Sequence, residues 1–188
     1  MEAEQQANNE YAAFVDSLFG APVVLMREIF DGKIRCFSDG HVERLYRRIK
    51  WREVPHTANH GKYNRIEING KHYYRNRLIA FAFLGLENPD GDICPMIADH
   101  ISGDTLDNSI KNLRVITNAQ NGRNTNSKCY TWHKGCQKWR VQIYINNKQT
   151  SFGLFKNEAD AAARALELKL IHYPEFRPRH EYNLAHGL

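Results

Sequence analysis

The sequence has few cysteines and none spaced as C-x-x-C. Cys36, Cys94, Cys129 and Cys136 are scattered over 188 residues, which excludes a disulfide-dense scaffold and reads as reduced thiols in a cytoplasmic chain. Long apolar runs are also missing: the longest, residues 78–86, falls far short of the roughly 20 residues a membrane helix needs. The opening Met1-Glu2-Ala3-Glu4-Gln5 is acidic and polar, without the basic and apolar regions of an export signal. Basic side chains are scarce in the first 30 residues, where Arg27 stands against five acids. With −4 there and +5 overall, the rest of the chain carries +9. A basic body points to a polyanion, and nucleic acid is the first partner to consider. With 42% hydrophobic and 25% charged residues, the chain can bury a core, and wholesale disorder is excluded.

Periodicity divides the chain. Tyr11, Phe14 and Leu18 recur at helical spacing, and Gly20 and Pro22 end that run, so residues 1–30 read as a helix and linker. Residues 31–95 read as a basic β-region leading into a buried helix at 77–86, closed by Gly85. Asn69-Gly70, between Tyr63-Asn64-Arg65-Ile66-Glu67-Ile68 and Lys71-His72-Tyr73-Tyr74, predicts a type I′ hairpin. Residues 41–52 carry Arg44, Arg47, Arg48, Lys50 and Arg52 against one acid, interleaved with Tyr46 and Trp51, a composition suited to phosphate contacts. Strands at 128–133, 138–145 and 148–154 precede a helix at 158–173, with Asn157 placed to cap it. Residues 174–188, with Pro174 and Pro178 and no periodicity, read as a loosely packed tail.

Residues 99–126 hold the pattern D-H-x2-G-D-x3-N-x3-N-L-R-x2-T-x3-N. His100 can take a proton near neutral pH, as a base activating water must. Asp99 and Asn121 offer hard oxygen donors suited to Mg²⁺ or Mn²⁺. Successive strand residues point to opposite sides, so Asp99 and His100 share a site only on a bent or edge strand. These residues resemble the HNH nucleases, in particular phage and intron-encoded homing endonucleases with a DH…N…N motif. The resemblance implies a ββα-metal core at 96–126, with His100 as general base and one divalent ion on Asp99 and Asn121. It implies a structural role for Asn112, tying the motif's loop so that His100 faces the phosphate. Many HNH enzymes carry histidine where this chain has Asn121, and Asn124 is a second possible ligand. Arg114 is open between a phosphate contact and packing.

Residues 128–172 contain Y-T-W-H-K, K-W-R-V-Q-I, F-G-L-F and an alanine-rich helix. They resemble the Apetala/ethylene-response-factor type of DNA-binding domain at 127–173. By strand parity Val141, Ile143 and Ile145 face one way, towards Ala162, Ala165 and Leu168 of the helix, with Trp132 and Trp139 also read as core. Arg140, Gln142 and Tyr144 face the other way, joined by Thr131, His133, Gln149 and Ser151. Arginine and glutamine read guanine and adenine edges, while Lys134, Lys138, Lys148 and Tyr144 suit phosphates.

The expectation is an α+β chain in three parts: a basic β-region, a ββα-metal HNH core, and a three-stranded sheet with a helix that reads double-stranded DNA. Its function would be a monomeric, Mg²⁺- or Mn²⁺-dependent site-specific endonuclease of the homing type, cytoplasmic and phage-encoded, with nicking the simplest outcome. The alternative is a DNA-binding regulator on a non-catalytic HNH scaffold. A structured-RNA binder lacks any matching module.

Overall fold

The computed structural model describes residues 23–58, 61–123, 127–146 and 148–187. The N-terminal helix expected at 1–20 lies outside the described residues, as does Asn124. The chain forms two compact units, 1–118 and 119–188, so the division falls inside the stretch 96–126 that the sequence presents as one core. Among the described residues no helix is long and apolar enough to cross a membrane.

In the first unit β1 (Met26–Ile29), β2 (Ile34–Phe37), β3 (Val42–Tyr46) and β4 (Lys50–Glu53) form an antiparallel meander in chain order. β5 (Arg65–Ile68) and β6 (Lys71–Tyr74) form the hairpin that Asn69-Gly70 predicts, with φ of 53° and 77° at the two turn residues. β6 runs directly into α1 (Arg75–Phe83), which starts and ends earlier than the 77–86 expected. Leu84 caps it and Gly85 follows at φ 72°, the left-handed position that favours glycine. β7 (Ile97–His100) and β8 (Leu113–Ile116) form a second two-stranded ribbon.

α1 is buried on nearly all sides, as an apolar helix inside a core must be. Its Leu78 and Ile79 pack with Ile34, Cys36, Val42, Ile66 and Leu113. Burial pushes the Cys36 thiol up to about 12 against the opposing pull of Arg75, so it is an inert core group. The helix also buries two arginines, Arg75 and Arg77. Arg77 reaches the carbonyls of Asn88, Pro89, Asp90, Cys94 and Met96, which fastens the loop ahead of β7. Arg75, 1% exposed, donates to Asn64 Oδ1 and to the carbonyls of Gly40, Val54 and Pro55.

α2 (Asn118–Arg123) begins at the boundary, with all but its first residue in the second unit. β9 (Tyr130–His133), β10 (Lys138–Ile145) and β11 (Lys148–Phe155) follow in an antiparallel sheet of order β11-β10-β9. α3 (Glu158–His172) covers one face, and Val141, Ile143, Ala161, Ala165 and Leu168 form the core. The helix face is set by Ala161, not by the expected Ala162, because 161, 165 and 168 fall on one stripe of a 3.6-residue period. Val141 alone opposes Phe152 and Gly153 in a β-bulge, with Gly153 at φ 120°.

Two further expectations are corrected here. Residues 174–186 are helical: a 3₁₀ turn (Pro174–Phe176) leads into α4 (Arg177–His186); Phe176 joins the core, while α4 buries none of its residues. Each proline sits in a first turn, where its missing N–H would lack an intrahelical partner anyway. Trp132 is 46% exposed: it lies on edge strand β9, edge-on to Trp139 at 5.4 Å, and only Trp139 of the pair packs against the core.

Candidate active site and nucleic-acid interface

Asp99 and Arg114 face each other across the β7–β8 ribbon. The guanidinium holds one carboxylate oxygen twice, Nη2 to Oδ2 at 2.8 Å and Nε to the same oxygen at 3.0 Å. Arg114 is thus a partner of Asp99, which orients that carboxylate and balances its charge. His100 ends β7, where the chain turns through residues 101–103. It is 4% exposed, and its Nε2 lies 3.1 Å from Asn108 Oδ1.

Asn112 has its whole carboxamide committed to the loop between the two strands. Oδ1 accepts the Ser102 N–H at 2.8 Å, and Nδ2 donates to the Asp107 carbonyl at 2.8 Å and the Asp104 carbonyl at 3.4 Å. Asp104 and Asp107 accept N–H bonds from Leu106 and Ser109, closing two Asx turns in the same loop. Gly40 presses on this loop: a Cβ there would lie 2.7 Å from the Asn108 carbonyl carbon, and φ is 92°. Beside it the Ile110 N–H bonds to the Ser38 carbonyl at 2.9 Å.

Asn108 is 1% exposed, and its Nδ2 lies 2.9 Å from Nε2 of His56. The pattern at 99–126 includes Asn108, but its spacing assigns it no role. His56 carries no signal in the sequence at all.

Burial holds both imidazoles below their ordinary value of 6.5. For His56 the Arg75 and His41 charges add to burial, while the Leu106 carbonyl and Asp107 oppose it. For His100 the bond to Asn108 and the carboxylates of Asp99, Asp107 and Asp104 oppose burial. A lowered folded-state value means the unfolded chain binds a proton that the folded chain resists. The stability contributed by neutral His56 is therefore full above 6.5 and is lost as pH falls through its folded-state value. The urea midpoint is expected to drop between about pH 7.5 and about pH 5, and a His56→Gln variant should lose less over that interval.

Among the described residues no three His, Cys, Asp or Glu side chains converge to hold a metal ion. Asp99 and Asn121 each offer a hard oxygen donor, the chemistry Mg²⁺ or Mn²⁺ takes when most of its shell is water. By donor type the residues fit such an ion. Asn121 lies on α2, half-buried, and belongs to the second unit.

Five cations of the first unit lie on the β3–β4 hairpin. Arg44 and Arg52 are cross-strand partners, and Arg47 and Arg52 lie over the Tyr46 ring at 5.2 and 4.2 Å from its centroid. Arg47 and Arg48 make the turn with φ of 50° and 58°. Among the described residues Arg44, Arg47, Arg48, Lys50 and Arg52 form no ion pair with a carboxylate. In the second unit cross-strand pairing aligns Thr131 with Arg140, Gln142 with Ser151, Tyr144 with Gln149, and His133 with Lys138. Thr131, Arg140, Gln142, Tyr144 and Gln149 line one cleft of about 620 Å³. That face is less open than strand parity suggests, because Ala119, Gly122 and Arg123 around α2 line the same cleft. Arg123 and Lys128 add cations that the sequence reading omits. His133, Lys134, Lys138 and Lys148 lie outside its lining. The Nε of Arg140 is buried and has no hydrogen-bond partner among the described residues.

The sequence model of a family described as HNH endonuclease matches residues 73–123. This stretch, just over a quarter of the chain, is similar to a nuclease domain and contains Asp99, His100, Asn108, Asn112, Arg114 and Asn121. It excludes His56, the basic hairpin and the β9–β11 sheet. No curated protein and no solved structure gives a significant match to the chain.

Proposed function

We propose that this chain is a DNA endonuclease of the HNH homing type, cutting at chosen sites. The observation that carries the reading is the β7–β8 ribbon inside the matched segment. It sets Asp99 beside His100, turns the His100 ring onto a buried amide, and hangs a loop between them that Asn112 braces. His100 accepts the proton of the attacking water. Asp99 and Asn121 are the residues to hold one divalent ion, and Arg114 keeps the Asp99 carboxylate in place. What that ion supplies when bound is polarisation of the scissile phosphate and stabilisation of the leaving 3′ oxygen. Hydrolysis then leaves a 5′-phosphate and a 3′-hydroxyl. One such site in a monomer cuts one strand per event, so nicking is the product we propose.

The β3–β4 cations and the polar face of the β9–β11 sheet are the proposed DNA contacts. Arg140 and Gln142 are the base readers, and the lysines with Tyr144 contact phosphates. Replacing Arg47 and Arg48 together by alanine is expected to weaken binding evenly across sequences and to flatten the salt dependence of log K by about 2. Arg140→Ala is expected to cost about 1–3 kcal/mol at the base it reads and to relax site choice. Titrations at several salt concentrations, on random and selected duplexes, measure both.

A second reading, a DNA-binding regulator on an HNH scaffold, draws on the Asp99–Arg114 pair, which engages an oxygen a metal would use. Incubating supercoiled plasmid with the protein in Mg²⁺ and in EDTA separates the two. Metal-dependent nicks support the nuclease, and salt-sensitive binding without cleavage supports the regulator.

A further inference from the structure

We infer that His56 is a positioning residue for His100, acting through the side chain of Asn108. The catalytic consequence rests on the nuclease reading; the coupling between the rings does not.

The argument starts at the Leu106 carbonyl. It lies 3.1 Å from Nδ2 of Asn108 and can only accept a hydrogen bond, so the amide end facing it is the NH₂ group. That settles the orientation of the amide. Its oxygen faces Nε2 of His100 at 3.1 Å and can only accept, so His100 carries its proton on Nε2 in this arrangement. The other N–H of the amide faces Nε2 of His56 at 2.9 Å, so His56 offers a lone pair there and carries its proton on Nδ1. One amide thus ties the proton positions of two rings on different parts of the chain.

The frame around this relay leaves little slack. Gly40 is packed against the Asn108 backbone. His56 is bracketed by Pro55 and Thr57, whose carbonyls accept bonds from Asn64 Nδ2 at 3.2 and 2.6 Å. Arg75 holds the Pro55 carbonyl with one nitrogen and the Gly40 carbonyl with another, so a single side chain grips the segments on both sides of the relay. With His56 gone, an N–H of a fully buried amide loses its acceptor, and the Leu106 carbonyl alone is left to hold the NH₂ end. The amide then turns more readily, and the His100 ring with it. His56 lies outside the family-matched segment, so the role belongs to this chain's own architecture.

The test uses full-length protein labelled with ¹⁵N-histidine, without metal or DNA. Long-range ¹H–¹⁵N correlation spectra report which nitrogen of each ring is protonated, and His100→Ala and His56→Gln assign the two rings. In the wild type, His100 is expected with its proton on Nε2 and His56 on Nδ1. The opposite state for either assigned ring overturns the inference. His56→Phe is expected to give a mixture of His100 tautomers, while His56→Gln, which keeps an acceptor, restores the single form. On supercoiled plasmid with Mg²⁺, His56→Phe should lower kcat on the order of 10- to 100-fold with KM unchanged, and His56→Gln should recover most of it. A His100 tautomer indifferent to His56→Phe sinks the inference and leaves the nuclease reading intact. A wild type that cuts nothing sinks the nuclease reading and leaves the tautomer result standing.

Discussion

His100→Ala protein is expected to bind DNA as the wild type does and to cleave it about 10²- to 10⁴-fold more slowly, the range a positioned general base supplies. The geometry explains why binding survives. His100 is buried and turned towards Asn108, while the cations proposed to hold DNA lie on other strands. The loss should therefore appear in kcat, with KM and band-shift affinity unchanged. Single-turnover nicking of supercoiled plasmid at saturating protein measures it. Equal rates for mutant and wild type would remove His100 from the base role. A matching fall in affinity would make it a structural residue.

The largest expected loss of stability comes from Arg75→Met. The side chain is 1% exposed and serves four acceptors: Asn64 Oδ1 and the carbonyls of Gly40, Val54 and Pro55. Burial has drawn its pKa down to about 10, against the raising effect of Cys36 and Glu53, so it is still charged at neutral pH. Methionine fills much of the volume but removes the donors from the buried Asn64 Oδ1 and Gly40 carbonyl and from the part-buried Val54 carbonyl, and leaves Pro55 only its bond from Asn64 Nδ2. Breaking such a buried charged network costs about 3–5 kcal/mol. Against the roughly 5–15 kcal/mol that holds a domain folded, that is a large fraction. Urea titration of the two proteins under one set of conditions reads the change directly. A shift in midpoint equivalent to less than 1 kcal/mol would show that the carbonyls find water instead.

Arg75 also marks where sequence reasoning stops. Its charge argues for a surface, and nothing local shows that four acceptors from distant segments surround it. Asn69-Gly70 is legible because one dipeptide decides its own turn geometry. The alternation of Val141, Ile143 and Ile145 is legible because a period of two needs no knowledge of the rest of the fold. The alanine-rich helix shows its existence but not its phase: Ala161, Ala162 and Ala163 are consecutive and equivalent in sequence, and the sheet beneath selects the first. At the site, Asp99, His100 and Asn112 stand out because they fall in one short run. His56 does not, since the amide that binds it is 52 residues further on. The proline-bearing tail misleads because proline forbids only the interior of a helix, and both prolines here occupy first turns.

The hold of Arg77 on the loop before β7 carries a further consequence. All five of its acceptors are main-chain carbonyls, at Asn88, Pro89, Asp90, Cys94 and Met96. A carbonyl presents the same two lone pairs whatever side chain its residue bears, so this clamp is blind to the identity of the residues it fastens. The loop can drift through neutral substitutions while the arginine cannot. Among diverging descendants of this chain, the shape of the approach to Asp99 would outlast the letters that spell it.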